Sequence, residues 1–415
     1  MLVKDKKDMD LIVLSGMFPR KCFPYSGTFV YEQVKALRKS INGKITVIVP
    51  VPWSPPLLWY KKKWREYGRT ERKDVVDNIS IYYKRHLVLP GRMFFPFEGL
   101  FIYLAVKSLV KKLIKSNERM TIMHTHAILP SGLAGVLLAK KFKIPHICTI
   151  HGSDVNIYPY FSKLSFLLTK YALKRCAHIV AVSNKLKGKT LCIEEGLNNI
   201  SVIHNGADSG QFFPIPKETA KERLGINENR KIILFIGNLN PVKGVNYLIE
   251  AFNLFLRDTR ENNVVLFLIG DGEEREKLTF LARSLRIEEK VFILGRKPHG
   301  EIPLWLNIAD LFVLPSVSEG FPTIIPEALM CGVPVIASDV GGISEIIING
   351  ETGLLCKAGD IDSIKNGMKI LMYDEGLRKK IITACKEKSK TFTWNNNALS
   401  SLAVYGRFHD GSRVG

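Results

Sequence analysis

Residues 313–339 read V-L-P-S-V-S-E-G-F-P-T-I-I-P-E-A-L-M-C-G-V-P-V-I-A-S-D, a stretch with two carboxylates around a Gly-Phe-Pro turn. Glu319 and Glu327 are eight positions apart, but Pro322 and Pro326 prevent one continuous helix from joining them. Pro326 suits the first turn of a new helix, where the macrodipole favours the neighbouring Glu327. Backbone N–H groups at such a helix entrance bind phosphate oxygens. The stretch therefore predicts a site for a ligand with both phosphate and hydroxyl groups.

Short apolar runs alternate with helical patterns, most clearly in the second half of the chain. Five apolar runs there are predicted strands, at residues 232–236, 264–269, 291–294, 311–314 and 333–337. A less regular series of the same kind occupies the first half. A dense run of turn residues, H-N-G-A-D-S-G at 204–210, separates the two series. Strands that alternate with helices predict a parallel sheet covered by helices.

We therefore expect an α/β protein with two doubly wound, Rossmann-like domains, at residues 1–206 and 207–393, and a last helix within 394–415. Doubly wound sheets bind ligands at the carboxyl ends of their strands. Two such domains that face each other would bind a ligand in the cleft between them.

The charge of the chain is unevenly distributed. Residues 1–210 contain 34 Lys and Arg against 14 Asp and Glu, a net charge of +20, whereas the whole chain has +21. The cationic half predicts an anionic partner, which could be a membrane surface, a nucleic acid or an acidic substrate. The apolar fraction of 46% and the charged fraction of 24% are typical of a soluble globular protein.

The cysteines and the apolar segments indicate a cytoplasmic protein. Seven cysteines are scattered without a C-x-x-C pair, which argues against a disulfide framework and a structural zinc site. The longest apolar stretch, residues 94–110, contains Glu98 and Lys107 and is too short and too charged to cross a bilayer.

Two glycine turns follow predicted strands of the second half. G-N-L-N-P-V-K-G at 237–244 places Lys243 where a lysine can neutralise a phosphate, although a surface turn lysine is an equally good interpretation. Gly270-Asp271-Gly272 is either a ligand-binding turn or an ordinary Asp-Gly turn.

Histidines end two strands of the first half. His124 and His126 could form a metal pair, but no third ligand is near them in the sequence, and a non-metal role is the better interpretation. His151 opens the turn H-G-S-D, where it could bind a substrate at the mouth of a cleft. The alternative is a capped turn in which Ser153 and Asp154 are ordinary cap residues.

A basic segment at 61–65 has aromatic neighbours, Trp59, Tyr60 and Trp64. Basic segments are usually solvated surfaces, but the aromatic residues make an interfacial membrane role more credible.

Taken together, these motifs resemble family 4 retaining glycosyltransferases, which have the GT-B fold. The resemblance rests on seven motifs in order: F-P-x7-G-T-F near the start, H-G-S-D, H-N-G-A-D, G-N-L-N-P-V-K-G, G-D-G, the stretch around Glu319 and Glu327, and T-W before the last helix. The first motif is most similar to transferases that build cell-surface polysaccharides on lipid carriers. By this resemblance the last helix returns to the first domain.

The resemblance implies a role for each candidate residue. The second domain would hold a UDP-, GDP- or ADP-sugar. Glu327 would bind the ribose, Glu319 the transferred sugar, and Lys243 the departing diphosphate. His151 would lie beside the sugar, and we count it with Lys243 and Glu319 as catalytic. The other expected donor-binding residues are Gly27, Asn238, Gly270, Gly320, Phe321, Pro322, Thr323 and Ile324.

The same resemblance implies a retaining, front-face reaction with no metal ion and no further cofactor. The acceptor would be lipid-linked or a saccharide. The net charge of +20 on the first half further predicts that the enzyme sits peripherally on the anionic inner face of the cell membrane. The family usually has an arginine where this chain has Asn238, so Lys243 should carry more of the stabilisation of the diphosphate.

Two other functions are considered. One is a different enzyme on the same fold, such as a sugar-nucleotide epimerase or a phosphorylase. The other is a nucleic-acid-binding protein that uses the basic half, but no RNA- or DNA-binding signature is present, and the Glu319/Glu327 pair would have no purpose there. We expect no nucleic-acid partner.

Overall fold

The computed structural model describes residues 7–89, 92–116 and 119–408. The chain divides into two compact units. Unit 1 comprises the chain up to Asn205 together with the segment from Trp394 onward, and unit 2 comprises Gly206–Thr393.

Unit 1 is a sheet of eight strands with helices between them. The strands are β1 (Asp10–Leu14), β2 (Ile45–Pro52), β3 (Lys73–Val76), β4 (Ile79–His86), β5 (Thr121–His126), β6 (His146–Ile150), β7 (His178–Ala181) and β8 (Ile200–Val202). The helices are α1 (Thr28–Arg38), α2 (Lys62–Arg69), α3 (Glu98–Lys115), α4 (Leu133–Phe142), α5 (Ser153–Asn156), α6 (Lys163–Arg175) and α7 (Asn184–Ile193).

The strand order in unit 1 is β3-β4-β2-β1-β5-β6-β7-β8. All neighbouring strands are parallel except β3, a largely exposed edge strand that runs antiparallel to β4. All five residues of β1 and all six of β5 are buried, as expected for central parallel strands with both faces covered. The order reverses between β1 and β5, so the loops that follow these two strands lie at the topological switch point.

Unit 2 repeats the scheme with six strands. Its helices are α8 (Lys217–Leu224), α9 (Val245–Thr259), α10 (Arg275–Ser284), α11 (Ile302–Ile308), α12 (Ile324–Met330), α13 (Ile343–Ile346), α14 (Ile361–Tyr373) and α15 (Glu375–Ser389). Its strands are β9 (Lys231–Ile236), β10 (Val264–Ile269), β11 (Val291–Gly295), β12 (Leu311–Leu314), β13 (Val335–Ser338) and β14 (Leu354–Cys356). They are parallel, in the order β11-β10-β9-β12-β13-β14, and this order reverses between β9 and β12.

The last helix, α16 (Trp394–Gly406), belongs to unit 1 and packs on α1. Gln33 of α1 donates a hydrogen bond to the Asn397 side chain over 2.8 Å, and Asn397 donates to the carbonyl of His204 over 2.7 Å. The helix was predicted within 394–415, and residues 409–415 lie outside the described ones.

The α/β architecture is confirmed, with a parallel sheet in unit 2 and a sheet in unit 1 that is parallel except for β3. The elements that were not predicted are short or depend on contacts between distant residues. Helix α2 has no buried residue, and Arg85 holds its end by donating hydrogen bonds to the carbonyls of Tyr67, Gly68 and Thr70. Strand β14 has three residues, and its pairing with β13 is not visible in local periodicity.

Candidate active site

In unit 2 the switch point is formed by the loops that follow β9 and β12. The first loop contains Lys243 and ends at α9; the second contains Glu319 and ends at α12. The backbone N–H of Val317 donates to the carbonyl of Val242 over 2.8 Å, which joins the two loops. Residues from two distant parts of the sequence therefore share one edge of the sheet.

Lys243 and Glu319 form a partly buried ion pair at this edge. The Lys243 Nζ donates to Glu319 Oε1 over 2.5 Å, and the hydroxyl of Ser316 donates to the same oxygen over 2.7 Å. The side chains of Lys243 and Glu319 are 21% and 10% exposed. A charge-assisted pair this shielded from water is held more firmly than a surface ion pair. Lys243 comes from the loop after β9, and Ser316 and Glu319 come from the loop after β12. The ion pair therefore holds the lysine side chain at this edge of the sheet.

Glu327 lies in the first turn of α12, where the sequence placed it. It is 6% exposed, so its carboxylate is buried beside the helix N-terminus, the end whose dipole favours a negative charge. Cys331 lies one turn later, and burial raises the pKa of its thiol to about 12, with the Glu327 charge adding to the effect. A buried carboxylate at this position is costly unless it serves a ligand or is paired.

The turn before α12 has its side chains inside and its backbone available. Phe321 is 6% exposed and packs on Phe392, with ring centres 5.7 Å apart. The backbone N–H groups of Thr323 and Ile324 donate no hydrogen bond to any of the described residues. Gly320 and Pro322 complete the turn. These two amides are free at a helix start, as an anion site requires.

The sequence did not identify Gly341, which covers this turn from the other side. Its φ is +59°, and a Cβ there would stand 2.0 Å from the carbonyl oxygen of Glu319. The N–H of Gly342 donates to the carbonyl of Gly320 over 2.9 Å. The two adjacent glycines in D-V-G-G were a signal for such a close backbone approach.

Asn238 and Gly270 lie at the neighbouring strand ends. Asn238 is exposed in the loop after β9. The N–H of Gly237 donates to the carbonyl of Ile269 over 2.9 Å, and that of Gly270 donates to the carbonyl of Gly295 over 3.0 Å. These bonds link the carboxyl ends of β9, β10 and β11, so Gly270 has a structural role in the turn. A donor contact of Gly270 or Asn238 stays a prediction.

In unit 1 three imidazoles form a row beside the switch point. His124 and His126 stack with ring centres 4.7 Å apart, and His126 and His151 stack at 5.2 Å. His126 Nδ1 and His151 Nε2 are 3.0 Å apart, and the nitrogens of His124 lie 2.6 Å from the Tyr405 hydroxyl and 2.8 Å from the Thr149 hydroxyl. All three distances are short enough for hydrogen bonds.

Burial keeps the imidazole row neutral. It lowers the pKa of His124 and of His151 to about 3 and the pKa of His126 well below its ordinary value. For His126 the neighbouring histidines add to the lowering. At neutral pH His151 therefore offers a hydrogen-bonding imidazole rather than a positive charge.

Asp154 fixes the backbone around His151. Its carboxylate, 1% exposed, accepts hydrogen bonds from the N–H groups of His151 over 3.1 Å, Gly152 over 2.8 Å and Ile128 over 3.2 Å. Burial raises the pKa of Asp154, and the backbone hydrogen bonds oppose that rise. Asp154 therefore joins the loops after β5 and β6, a wider role than that of an ordinary cap residue.

Gly27 begins α1 with a φ of +65°. A Cβ at this position would stand 2.3 Å from the carbonyl carbon of Met17. Only glycine fits this backbone contact. The close contact with Met17 is by itself a reason for glycine at this position. The approach of Gly27 to a diphosphate stays a prediction.

Metal ligation is not evident in the part of the chain that the structure describes. No group of three or more His, Cys, Asp or Glu side chains there could hold a metal ion. His124 and His126, the possible metal pair of the sequence, instead contact Tyr405, Thr149 and His151.

Two family models match the chain and together cover most of it. The one described as Glycosyltransferase Family 4 matches residues 26–211, and the one described as Glycosyl transferases group 1 matches residues 216–388. The first match lies in unit 1 apart from its last few residues, and the second lies wholly in unit 2.

Relatives agree with the family models. An uncharacterised glycosyltransferase of Methanocaldococcus jannaschii is 33% identical over 401 residues, which cover 96% of this chain and 100% of that protein. TuaC of Bacillus subtilis, named for teichuronic acid biosynthesis, is 31% identical over 81% of this chain and 83% of its own length. The UDP-Gal:α-D-GlcNAc-diphosphoundecaprenol α-1,3-galactosyltransferase of Escherichia coli is 31% identical over 68% of this chain and 74% of its own length.

Solved structures share the fold. Sucrose-phosphate synthase from Thermosynechococcus elongatus has a TM-score of 0.81 at 18% identity and covers 97% of this chain and 100% of that chain. Anabaena HepE in complex with UDP has a TM-score of 0.71 at 17% identity, with 96% and 100% covered. The architecture is thus that of the GT-B transferases. The chain belongs to the family 4 glycosyltransferases, as the motifs predicted.

Proposed function

We propose that this glycosyltransferase moves a sugar from a nucleotide diphosphate sugar to a lipid-linked or saccharide acceptor in the synthesis of a cell-surface glycan. The observation that carries the proposal is the cluster of Lys243, Glu319 and Ser316 at the switch point of unit 2, with Glu327 in the adjacent helix turn. A lysine paired with one carboxylate, a second carboxylate in the following helix and free amides at the start of that helix suit a ligand that is anionic at one end and a polyol at the other.

In this proposal each group has one task. Glu327 accepts hydrogen bonds from the ribose, and Glu319 accepts them from hydroxyls of the transferred sugar. The amides of Thr323 and Ile324 and the Lys243 ammonium bind the diphosphate. Asn238 and Gly270 line the donor site. Lys243 stabilises the charge that develops on the diphosphate as it leaves, the kind of contact that accelerates the chemical step.

The reaction is proposed to be retaining and independent of a metal ion. The bond from the anomeric carbon to the diphosphate oxygen breaks. The acceptor oxygen forms its bond to the same face of that carbon, and its proton passes to the departing diphosphate. Glu319 and Glu327 position the donor and take no proton. His151, neutral because burial lowers its pKa to about 3, is proposed to contribute a hydrogen bond to the substrate.

A lipid-linked acceptor is supported by two relatives. One is named for a diphosphoundecaprenol-linked acceptor and the other for teichuronic acid biosynthesis. The relative with the lipid-linked acceptor also has a UDP-sugar donor in its name, and HepE was solved with UDP, which makes UDP-sugars the first donors to test.

We further propose that unit 1 binds an anionic membrane surface from the cytoplasmic side. The exposed apolar residues Leu57 and Tyr60, 84% and 75% exposed, precede the exposed lysines 61–63. Apolar residues beside lysines bind anionic bilayers through burial and charge together. The indole N–H of Trp59 donates to Ser54 and is therefore not available to a lipid headgroup. In the described part of the chain no helix has the length and apolar character needed to cross a membrane.

The proposal is tested by product analysis with UDP-, GDP- and ADP-sugars, with and without membrane extract as acceptor. The expected product is a glycoside whose anomeric configuration in the NMR spectrum equals that of the donor, formed in the presence of excess EDTA. A product of inverted configuration contradicts retention, and loss of turnover in EDTA contradicts metal independence. Conversion of the donor sugar without an acceptor indicates an epimerase instead.

A liposome sedimentation assay tests the membrane part separately. We expect the protein to sediment with vesicles that contain phosphatidylglycerol and to remain in the supernatant with pure phosphatidylcholine. The double variant Leu57→Glu/Tyr60→Glu should lose most of this binding. Equal sedimentation with both vesicle types contradicts the proposal.

A further inference from the structure

Arg20 lies between β1 and α1 and takes no part in the proposed reaction. Its Nε and Nη1 atoms are buried and have no hydrogen-bond partner among the described residues. Burial lowers the pKa of the guanidinium, and the groups that oppose this effect are Tyr67, Tyr83 and Cys22, with no carboxylate among them. Arg20 is thus a largely desolvated cation without an anionic partner in the described chain.

Aromatic rings supply part of the missing interaction. The Arg20 Cζ lies 4.8 Å from the ring centre of Phe23 and 5.7 Å from that of Tyr67. Cation–π contacts of this kind stabilise a cation by a fraction of what its desolvation costs, and they leave the N–H donors unsatisfied. A guanidinium offers five N–H donors in a planar fork, and buried donors without acceptors are destabilising.

The neighbouring cations are satisfied, which sets Arg20 apart. Lys21 pairs with Glu71 over 2.5 Å in an exposed ion pair. Arg85 donates to three backbone carbonyls at 2.9–3.0 Å. Lys21 and Arg85 therefore have acceptors, whereas the buried Nε and Nη1 atoms of Arg20 have none among the described residues. Its unpaired state is therefore particular to this position.

Arg20 lies on the loop that begins at the switch point of unit 1, and its guanidinium is near Tyr67 of α2 and Tyr83 of β4. The segment between β1 and α1 follows the central strand at the point where the strand order of unit 1 reverses, the place where doubly wound sheets bind ligands. Residues 21–26, which include Phe23, are all at least partly exposed. Phe23, whose ring contacts the guanidinium, is thus part of the protein surface.

Tyr67 connects Arg20 to the surface proposed to bind the membrane. It lies on α2, and the Lys63 ammonium is 5.9 Å from its ring centre. Lysines 61–63 and the exposed Leu57 and Tyr60 are on the same short stretch. A phosphate attached to a lipid would meet Arg20 close to where its chain enters the bilayer.

We propose that Arg20 anchors a phosphate-binding site of unit 1 that takes a phosphate group of the acceptor. The planar fork of the guanidinium matches two phosphate oxygens at once, and binding supplies an anionic partner, which Arg20 lacks among the described residues. The acceptor assignment rests on the proposed function; the phosphate site itself does not.

The test measures the melting temperature of the full-length protein at increasing concentrations of inorganic phosphate or decyl phosphate. Decanol, the uncharged analogue of decyl phosphate, is the control ligand. Four proteins are compared: wild type, Arg20→Gln, Arg20→Lys and the matched control Lys21→Gln, which removes the exposed cation next to Arg20. At about ten times the dissociation constant the wild type and Lys21→Gln should rise by about 3 °C. Arg20→Gln should not respond, and Arg20→Lys should respond weakly because it loses the fork.

The phosphate-free baseline separates binding from a structural role. Without anions Arg20→Gln should melt no lower than the wild type, because the variant removes a desolvated and unpaired charge. If Arg20 only stabilises the fold, Arg20→Gln should melt below the wild type by the same amount at every phosphate concentration. That result overturns the proposal. So does an equal response to phosphate in Arg20→Gln and wild type, or no response in the wild type.

Two further comparisons identify the source of the phosphate and exclude phosphate binding at the donor site as the cause of the shift. A larger shift with decyl phosphate than with inorganic phosphate, absent with decanol, indicates a lipid-borne group; the reverse order indicates a soluble phosphorylated acceptor. The Arg20-dependent shift should persist in Lys243→Ala, because Lys243 is in unit 2. An Arg20-dependent phosphate shift in a wild type that no nucleotide sugar stabilises would leave the phosphate site standing while the proposed function fails.

Discussion

The ammonium of Lys243 lies 2.5 Å from the carboxylate of Glu319, although the two residues are 76 positions apart in the chain. The pairing arises because β9 and β12 are neighbours in the sheet and end at the same edge. In the free protein Glu319 holds the lysine in place. A bound diphosphate would offer Lys243 a second anionic partner, so the pair keeps the cation positioned before the substrate arrives.

Replacing Lys243 by alanine should nearly abolish transfer. An electrostatic contact that strengthens in the transition state is worth about 2–4 kcal/mol, so kcat should fall by about 30- to 1,000-fold. Steady-state kinetics measure the loss. Lys277→Ala is the control, since it removes a surface lysine of unit 2 that pairs with Glu274, and it should retain normal turnover. Near-normal turnover in Lys243→Ala would remove the assigned role.

Glu327→Gln should weaken donor binding more than it slows chemistry. A charged hydrogen bond to the ribose is worth about 1.5–3 kcal/mol, and the ribose is bound equally in the ground and transition states. We therefore expect the donor KM to rise about 10- to 100-fold with kcat within a few-fold of the wild type. Glu276→Gln, at an exposed position of α10, should change neither constant. A fall in kcat at unchanged KM would contradict the ribose assignment.

Asn238→Arg should improve use of the donor, because it adds a cation where the family usually has one. Asn238 is exposed at the end of β9, so an arginine fits without displacing the core. The expected gain is about tenfold in kcat/KM for the donor, and it should decrease as salt is added. Asn227→Arg places the same charge at another exposed position of unit 2 and serves as the control. An equal effect of the two variants would show that only net charge matters.

The imidazole row should make unit 1 sensitive to acid. Burial lowers the pKa of His124 to about 3, below its value of about 6.5 in an unfolded chain, so the unfolded state takes up the proton first as the pH falls. The stabilising contribution of neutral His124 is complete above pH 6.5 and decreases towards pH 3. From pH 7 to pH 5 it should fall by about 2 kcal/mol.

Urea unfolding of the wild type and of His124→Gln at pH 7 and pH 5 isolates this effect. The difference in unfolding free energy between the two proteins should shrink by that amount at pH 5. The raised pKa of Asp154 acts in the opposite direction, but it is present in both proteins and cancels. A pH-independent difference would show that His124 does not titrate on unfolding.

Strands and helix starts that are determined by neighbouring residues were predicted from the sequence. Buried parallel strands such as Val264–Ile269 are continuous apolar runs, and Pro326 marked the start of α12. Contacts between residues far apart in the chain could not be predicted from the sequence. The hydroxyl of Tyr405 next to His124 and the hydrogen bond from Ile128 to Asp154 depend on how helices and loops pack, and sequence spacing does not encode them.

The candidate site follows the same division. The residue types around Glu319 and Glu327 indicated a ligand with phosphate and hydroxyl groups, but the Ser316 hydroxyl and the cover formed by Gly341 became visible only in three dimensions. Arg20 was not singled out at all, because an unpaired buried cation is recognised by the absence of partners around it, and this absence cannot be read from one stretch of sequence.

The most direct test of the central claim is the binding of nucleotide sugars to the wild type and to Lys243→Ala, measured by ligand-induced thermal shift with UDP-, GDP- and ADP-sugars. We predict that sugars of one nucleotide raise the melting temperature of the wild type in a concentration-dependent way, and that Lys243→Ala needs much higher concentrations for the same shift. If no nucleotide sugar stabilises the wild type, or if both proteins respond identically, the donor site does not lie at Lys243 and Glu319.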